Sequence, residues 1–223
     1  MSDARGRLVV LISGRGRNLQ AFIEATRDGR VRADIALVIS NRADAAGLAL
    51  AQAAGIPTQV ISHRDYPTRE AFDAQMVAAI GPHQPDLVLL AGFMRILTAG
   101  FIRAFEGRLL NIHPSLLPRY PGLDTHAKAL ANGDAEHGAS VHLVTEELDG
   151  GPVLLQASLS VHADDDAQTL AARVMDEIET RIYPQVVAWM LGDELRFVDG
   201  QRRFRGRSLQ QPLTARDLDP DFR

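Results

Sequence analysis

Leu8–Ile12 is an unbroken apolar run that leads straight into Ser13-Gly14-Arg15-Gly16-Arg17-Asn18. A strand apolar along its whole length must be covered on both faces, which is how strands of parallel sheets are built. Asp34–Ser40 repeats the pattern, and Leu87–Ala91 is its most hydrophobic instance. Helical segments lie between these strands. One starts at Asn18, read as its cap, and runs to about Arg27 with a stop near Gly29. Asp44–Ala54 is a second, ended by Gly55 and Pro57. A third begins around Thr68, where Phe72, Met76, Ala79 and Ile80 recur at helical spacing before Gly81-Pro82. With a short strand at Thr58–Ser62, this alternation predicts an α/β fold: an open, doubly wound sheet with right-handed crossovers.

The second half changes character. Leu109–His113 reads as a strand ended by Pro114 and the loop Ser115–Gly122, and Thr125–Asn132 as a short helix. Ala139–Val144 and Val153–Val161 are strands on either side of Glu146-Glu147-Leu148-Asp149-Gly150-Gly151-Pro152. Leu170, Val174, Ile178 and Ile182 form the stripe of one long helix. Pro184 is expected to kink or break it before Val186–Leu191. Leu195–Val198 reads as a last strand, and from Gly200 onward the chain reads as a polar, mobile tail.

Composition removes whole classes of chemistry. Among 223 residues there is no cysteine, so disulfides, thiol nucleophiles, iron–sulfur clusters and cysteine zinc sites are excluded. Lys128 is the sole lysine among 24 basic residues. A P-loop needs Gly-Lys-Ser/Thr, which does not occur, so no ATP site is expected. The seven histidines form no helical pair with a third ligand nearby, so no metal is expected. A net charge of −4 without a basic stripe argues against nucleic acid. No run approaches the ~20 apolar residues of a membrane span, and the start lacks a signal-peptide core. A cytoplasmic protein is expected.

Two features carry chemistry. A strand, a glycine turn and a helix start together make an anion site, because exposed N–H groups and the helix dipole favour a phosphate. The dinucleotide fingerprint needs a third glycine where Leu19 stands, and an acid where Ser40-Asn41-Arg42 stands. A mononucleotide or sugar phosphate therefore fits better than NAD, and Arg17 and Asn18 can add donors; the alternative is a tight turn with no ligand. Further on, Asn111 and His113 lie two apart on a strand and share a face. The amide can stabilise an oxyanion and the imidazole can deliver a proton near neutral pH. Asp149 would favour the imidazolium if it stood beside His113; read alone, its loop is a solvated turn and His113 a strand-end residue.

Four segments together resemble the folate-dependent phosphoribosylglycinamide formyltransferases. Ile12-Ser13-Gly14-Arg15-Gly16-Arg17-Asn18-Leu19 resembles their phosphate loop, and Leu90-Ala91-Gly92-Phe93-Met94-Arg95-Ile96-Leu97 their folate-binding segment. Leu110-Asn111-Ile112-His113-Pro114-Ser115-Leu116-Leu117-Pro118 is similar to the signature of enzymes that use formyl-folate. Gly138–His142 through Glu147–Pro152 resembles the stretch with the catalytic aspartate. The likeness runs in order from about residue 8 to 198.

This resemblance implies a formyltransferase fold with a Rossmann-like N-terminal half and helices on both faces of a mostly parallel sheet. It implies a domain over 1–199, with a phosphate-binding half at about 8–107 and a folate-binding, catalytic half at about 108–199, followed by the tail 200–223. The implied reaction is direct attack of the amine of glycinamide ribonucleotide on the formyl carbon of 10-formyltetrahydrofolate, through a tetrahedral intermediate, in purine biosynthesis. Asn111, His113 and Asp149 are the implied catalytic residues. Gly16, Arg17, Asn18 and, with one residue inserted in the long helix, Glu179 would hold the ribonucleotide. Arg69, Met94, Arg95, Ile96, Leu97, Asn111, Val144, Thr145, Glu146 and Asp149 would hold the folate. A monomer or homodimer without metal, ATP or NAD is implied.

The chain departs from the family at Arg17, where a small residue is usual, and at Ile178-Glu179-Thr180, where Gln-Glu-His is common. Rival readings are a formyltetrahydrofolate hydrolase, whose extra N-terminal domain has no room before the first strand, and a methionyl-tRNA formyltransferase, whose C-terminal RNA-binding domain has none after the last. A nucleotide-dependent oxidoreductase and a non-catalytic folate or nucleotide sensor belong to other classes.

Overall fold

Residues Leu8 to Ile12 are completely buried, and they form most of the first strand, β1 (Gly6–Ile12). The computed structural model describes residues 5–198 and 200–223. The first four residues and the expected boundary at 199 lie outside the described residues. The chain divides into two compact units, one ending at Leu110 and the other starting at Asn111. The sequence reading set its division at about 107/108.

In the first unit β1 lies between β2 (Ala33–Ser40) and β4 (Leu87–Leu90), with β3 (Thr58–Val60) beside β2, and all these pairs are parallel. The chain steps outward from β1 to β3 and then returns to the other side of β1 as β4. Right-handed crossovers then put α1 (Arg17–Arg27) and α2 (Ala46–Ala53) on one face and α3 (Arg69–Ile80) on the other. The packing agrees: α1 contacts α2, and α3 contacts α4 (Ala99–Ala104). The reversal leaves a switch point at the carboxyl ends of β1 and β4, where ligands of open α/β sheets bind. The Thr68 hydroxyl accepts from the Ala71 N–H and caps α3 as its sequence suggests.

Two details differ from the sequence reading. Gly16, not Asn18, caps α1, and Asn18 is buried in the helix's first turn. α4 was not expected; it has six residues, too few to show a period, and it starts where the Thr98 hydroxyl accepts from the Phe101 N–H.

The second unit starts within β5 (Leu109–His113), which lies beside β6 (Glu136–Leu143). β6 pairs antiparallel with β7 (Val153–Ser160), which α5 (Thr125–Ala131) precedes in the chain. α6 (Ala167–Val174), a π-helical turn at Met175–Glu179 and α7 (Thr180–Leu191) follow as one continuous helical run. Pro184 lies inside α7 and does not break it. A proline ring crowds the carbonyl four residues earlier, here that of Thr180, and the turn that is widened ends just before Thr180.

The segment from Gly200 is not a loose tail. β8 (Leu195–Val198), β9 (Gln201–Phe204) and β10 (Arg207–Leu209) make a small antiparallel sheet. β11 (Leu213–Thr214) then adds parallel to β7, and Leu213, Leu218 and Phe222 are buried. Isolated apolar residues in a polar segment give no periodic signal, but each of these finds a partner in three dimensions.

Candidate active site

Within the first unit, the glycine turn follows the sterics of its neighbours. Gly16 adopts φ +79°, the left-handed region that glycine enters freely. A Cβ on Gly16 would also stand 2.7 Å from the Gly47 Cα. Gly47, in the first turn of α2, donates its N–H to the Gly14 carbonyl at 3.0 Å. A missing side chain on each partner lets two backbones meet, and this fixes the turn. The first amides of a helix have no partner within the helix, so a helix start such as that of α1 can receive an anion. Of the residues expected there, Arg17 is exposed and Asn18 is buried.

Ser13 ties this turn to the loop after β4. Its hydroxyl accepts from the Met94 N–H at 2.8 Å and donates to Asn41 Oδ1 at 2.6 Å. The residue that stands where dinucleotide-binding folds carry an acid is therefore engaged in holding the loop. In that loop Leu97 is buried, Arg95 is half-buried, and Met94 and Ile96 are 61% and 58% exposed. These two large apolar side chains are open to contact from outside the loop. Arg69 opens α3 and is exposed.

Within the second unit, Asn111, His113 and Asp149 come together, and His142 joins them. His113 is 5% exposed. Its Nε2 lies 2.8 Å from the Tyr120 carbonyl oxygen. A carbonyl can only accept, so Nε2 carries a proton. Its Nδ1 faces Asp149 Oδ2 at 3.5 Å. A proton carried to Nδ1 would thus face a carboxylate oxygen. The Gly122 N–H donates to the same Oδ2 at 2.9 Å and keeps the carboxylate in place. Asp149 and Tyr120 both have positive φ, +51° and +54°. Such non-glycine conformations cost about 1–3 kcal/mol each and persist where the surroundings impose them.

His142 is a participant that the sequence reading did not single out beyond counting it among seven histidines without a metal-binding pattern. Burial holds its pKa below the ordinary histidine value, so it is neutral near pH 7. Its Nδ1 donates to the Leu143 carbonyl at 2.9 Å. That leaves Nε2 as an acceptor for the Asn111 amide N–H at 3.1 Å. One amide N–H is then fixed, and Asn111 keeps a second for a ligand. Ser140 and His142, two apart on β6, have the same polar spacing as Asn111 and His113. The signal was there, but β6 is buried from His137 to Leu143, so no alternation marked the face.

Val144 and Thr145 are half-buried and Glu146 is exposed in the loop that leads to Asp149. Glu179 is not on these elements. It is 5% exposed on the π-helical turn, which packs on β6. Among the described residues no group of three or more His, Asp or Glu is arranged to hold a metal ion, and no helix is long and apolar enough to cross a membrane.

This geometry has relatives. Residues 6–187 match the family described as formyl transferase. A phosphoribosylglycinamide formyltransferase of Escherichia coli K12 is 50% identical over 201 residues, 87% of this chain and 94% of that protein. One of Haemophilus influenzae is 42% identical over 203 residues, 91% and 95% of the two chains. The solved phosphoribosylglycinamide formyltransferase of Coxiella burnetii superposes with a TM-score of 0.90 at 46% identity, covering 95% of this chain and 99% of that one.

Proposed function

The chain belongs to the formyl transferase family, and from that premise we propose that it moves the formyl group of 10-formyltetrahydrofolate to the amine of glycinamide ribonucleotide. Formylglycinamide ribonucleotide and tetrahydrofolate are the products, and purine nucleotide synthesis is the use. The observation that carries the reading is the meeting of Asn111, His113 and His142 around Asp149.

The chemistry follows from those groups. The ribonucleotide amine attacks the formyl carbon and a C–N bond forms. Negative charge gathers on the formyl oxygen, and the second Asn111 N–H is a donor for it; His113, whose Nε2 proton is held by the Tyr120 carbonyl, acts through Nδ1. The intermediate then collapses, the bond to the folate nitrogen breaks, and the proton lost by the amine reaches that nitrogen by way of His113 or a water. Asp149 holds the His113 ring in its orientation. Gly16, Arg17 and Asn18 hold the phosphate, and Glu179 holds the ribose or glycinamide end. Arg69 meets the folate glutamate tail. Met94 to Leu97, with Val144 to Asp149, hold the pteridine mostly through backbone groups. On this reading the enzyme works in the cytoplasm on small molecules, without metal, ATP or NAD, as a monomer or homodimer. The first half, to about 107, serves the phosphate, and about 108–199 serves folate and chemistry.

A spectrophotometric assay for the deformylated folate tests the function. Product that forms only when glycinamide ribonucleotide is present supports the transferase. Equal product without it makes the protein a hydrolase, and bound folate with no product in either case makes it a sensor or an enzyme with another acceptor.

The glycine contact gives a separate expectation. In Gly47→Ala the new Cβ lies 2.7 Å from Ile12 Cδ1 and 3.2 Å from the Gly16 Cα. Overpacking of this kind costs about 1–3 kcal/mol. It displaces the phosphate turn and leaves the groups around Asp149 alone. The KM for the ribonucleotide is expected to rise about tenfold, the equivalent of ~1.4 kcal/mol, with kcat within about twofold of the parent. A KM that stays put, or an equal fall in kcat, would contradict the assignment of this turn to the phosphate.

A further inference from the structure

The carbonyl that accepts from His113 belongs to Tyr120, and the Tyr120 side chain is held by a polar cluster on the far side of that residue. Its hydroxyl donates to Asp134 Oδ2 at 2.8 Å and accepts from Asn132 Nδ2 at 2.8 Å. The Arg119 guanidinium lies 3.2 Å from the same hydroxyl and also pairs with the other Asp134 oxygen. Asp134 follows α5 closely, its N–H bound to the Ala129 carbonyl at 3.1 Å, and it stands two residues before β6. The Asp134 side chain is only 9% exposed, against 49% for Arg119.

This anchoring has work to do. Tyr120 sits at φ +54°, where a side-chain-bearing residue stays only when something holds it. The loop is fastened before Tyr120 as well. The Ser115 hydroxyl donates to the Arg119 carbonyl at 2.6 Å, and Gln156 Nε2 donates to the Leu117 carbonyl at 2.7 Å. It is fastened after Tyr120 by Gly122 on Asp149. At Tyr120 itself the backbone oxygen points to His113, so the side chain is what remains for holding the residue in place. The acidic partner is committed to that bond: the Tyr120 hydroxyl, ahead of Arg119, holds the Asp134 carboxyl below the usual carboxylate range.

We propose that Asp134 is a positioning residue for the reaction, acting through the Tyr120 hydroxyl to hold the Tyr120 carbonyl where it fixes the His113 Nε2 proton. The inference rests on His113 being the group that moves the proton. A displacement near 1 Å at a reacting group can cost about 10²-fold in rate. Loosening one side-chain anchor of a loop fastened elsewhere is a smaller disturbance, about tenfold in kcat.

The test measures kcat, both substrate KM values and thermal midpoints for Asp134→Ala, Asp134→Asn, Tyr120→Phe and the double variant Tyr120→Phe/Asp134→Ala, with His113→Ala as reference. Asp134→Ala and Tyr120→Phe are each expected to lose about tenfold in kcat with the ribonucleotide KM within about twofold. Asp134→Asn keeps an oxygen that accepts from the hydroxyl and is expected to return to within about threefold of the parent. The double variant is expected to be no worse than the worse single one, since both changes cut one link. In ¹⁵N spectra of imidazole-labelled protein, the His113 Nε2 signal is expected to move in both single variants. If Asp134→Ala keeps full kcat, or if Asp134→Asn is as poor as alanine, the positioning role is wrong. A fall in kcat that disappears when rates are referred to folded protein, with the His113 signal unmoved, makes Asp134 merely structural and also overturns the proposal. A His113→Ala variant with full turnover would instead remove the reading on which the inference depends.

Discussion

His113→Ala and Asp149→Asn are each expected to lower turnover by at least ~10², with little change in binding of either substrate. The alanine variant removes the group that carries the proton. General acid–base help is worth ~10²–10⁴ in rate. The asparagine variant keeps shape and most of the packing, because the carboxylate is only 10% exposed and nearly isosteric with the amide. What it loses is the negative charge 3.5 Å from His113 Nδ1, the partner for the proton that passes through that nitrogen during the reaction. Its one amide oxygen, placed where Oδ2 stands, can still accept from the Gly122 N–H and face His113. Both substrates are expected to bind nearly as before, because these groups act on charge that appears only in the transition state. Equilibrium binding of each substrate and single-turnover rates separate the two effects. Near-normal turnover in either variant removes that residue from the mechanism. Asn111→Ala, which loses an oxyanion donor, belongs in the same series at about 10²–10³. His142→Ala should be milder, since Asn111 keeps its amide and loses only the acceptor that orients it.

The parts of this molecule that were legible in sequence are those where one physical rule acts alone. β1 and β4 are buried on both faces, so their composition is their signature. The strand Leu109–His113 has the expected bounds, because Pro114 ends it and Gly107 precedes it. Period two put Asn111 and His113 on one face, and the structure engages both side chains in one cluster with Asp149. What could not be read depends on backbone or on distant partners. Tyr120 enters the site through its carbonyl, which every residue has, so its side chain gave no hint. Gly47 matters through an absent side chain against another absent side chain at Gly16, a contact that no local pattern encodes. Pro184 is expected to kink or break the long helix, whereas α7 continues through it and the widened turn lies at Met175–Glu179. Asn18 was read as a helix cap from residue type, but a glycine two residues before it takes the left-handed conformation and caps the helix first.

The largest expected effect on stability lies in the segment that composition described as a mobile tail. The Asp219 carboxylate accepts from Trp189 Nε1 at 2.8 Å, Gln185 Nε2 at 3.1 Å and Arg205 Nη2 at 2.8 Å. Its own N–H donates to Gln185 Oε1 at 2.8 Å. Trp189 and Gln185 are completely buried on α7, so Asp219→Ala leaves an indole N–H and an amide N–H without their acceptor. A buried donor stripped of its partner costs about 1–3 kcal/mol. With two such donors, the variant is expected to lose about 2–4 kcal/mol of unfolding free energy. Arg205→Ala removes a half-exposed partner that also pairs with Glu194, and is expected to lose about 1 kcal/mol or less, as surface ion pairs do. Urea titrations followed by the fluorescence of Trp189, the one tryptophan, distinguish these outcomes. The midpoint should fall in Asp219→Ala with an unchanged slope, because the surface exposed on unfolding is the same. At a temperature where the variant is folded, its kcat should match the parent, because none of the groups around Asp149 is touched. A loss below about 1 kcal/mol in Asp219→Ala would mean that water replaces the carboxylate and that the segment after Gly200 covers α7 by apolar contact alone. The expected loss would make the Asp219 carboxylate, which joins α7 to the end of the chain, a main polar fastening of residues 200–223 alongside the β11–β7 pairing and the buried Leu213, Leu218 and Phe222.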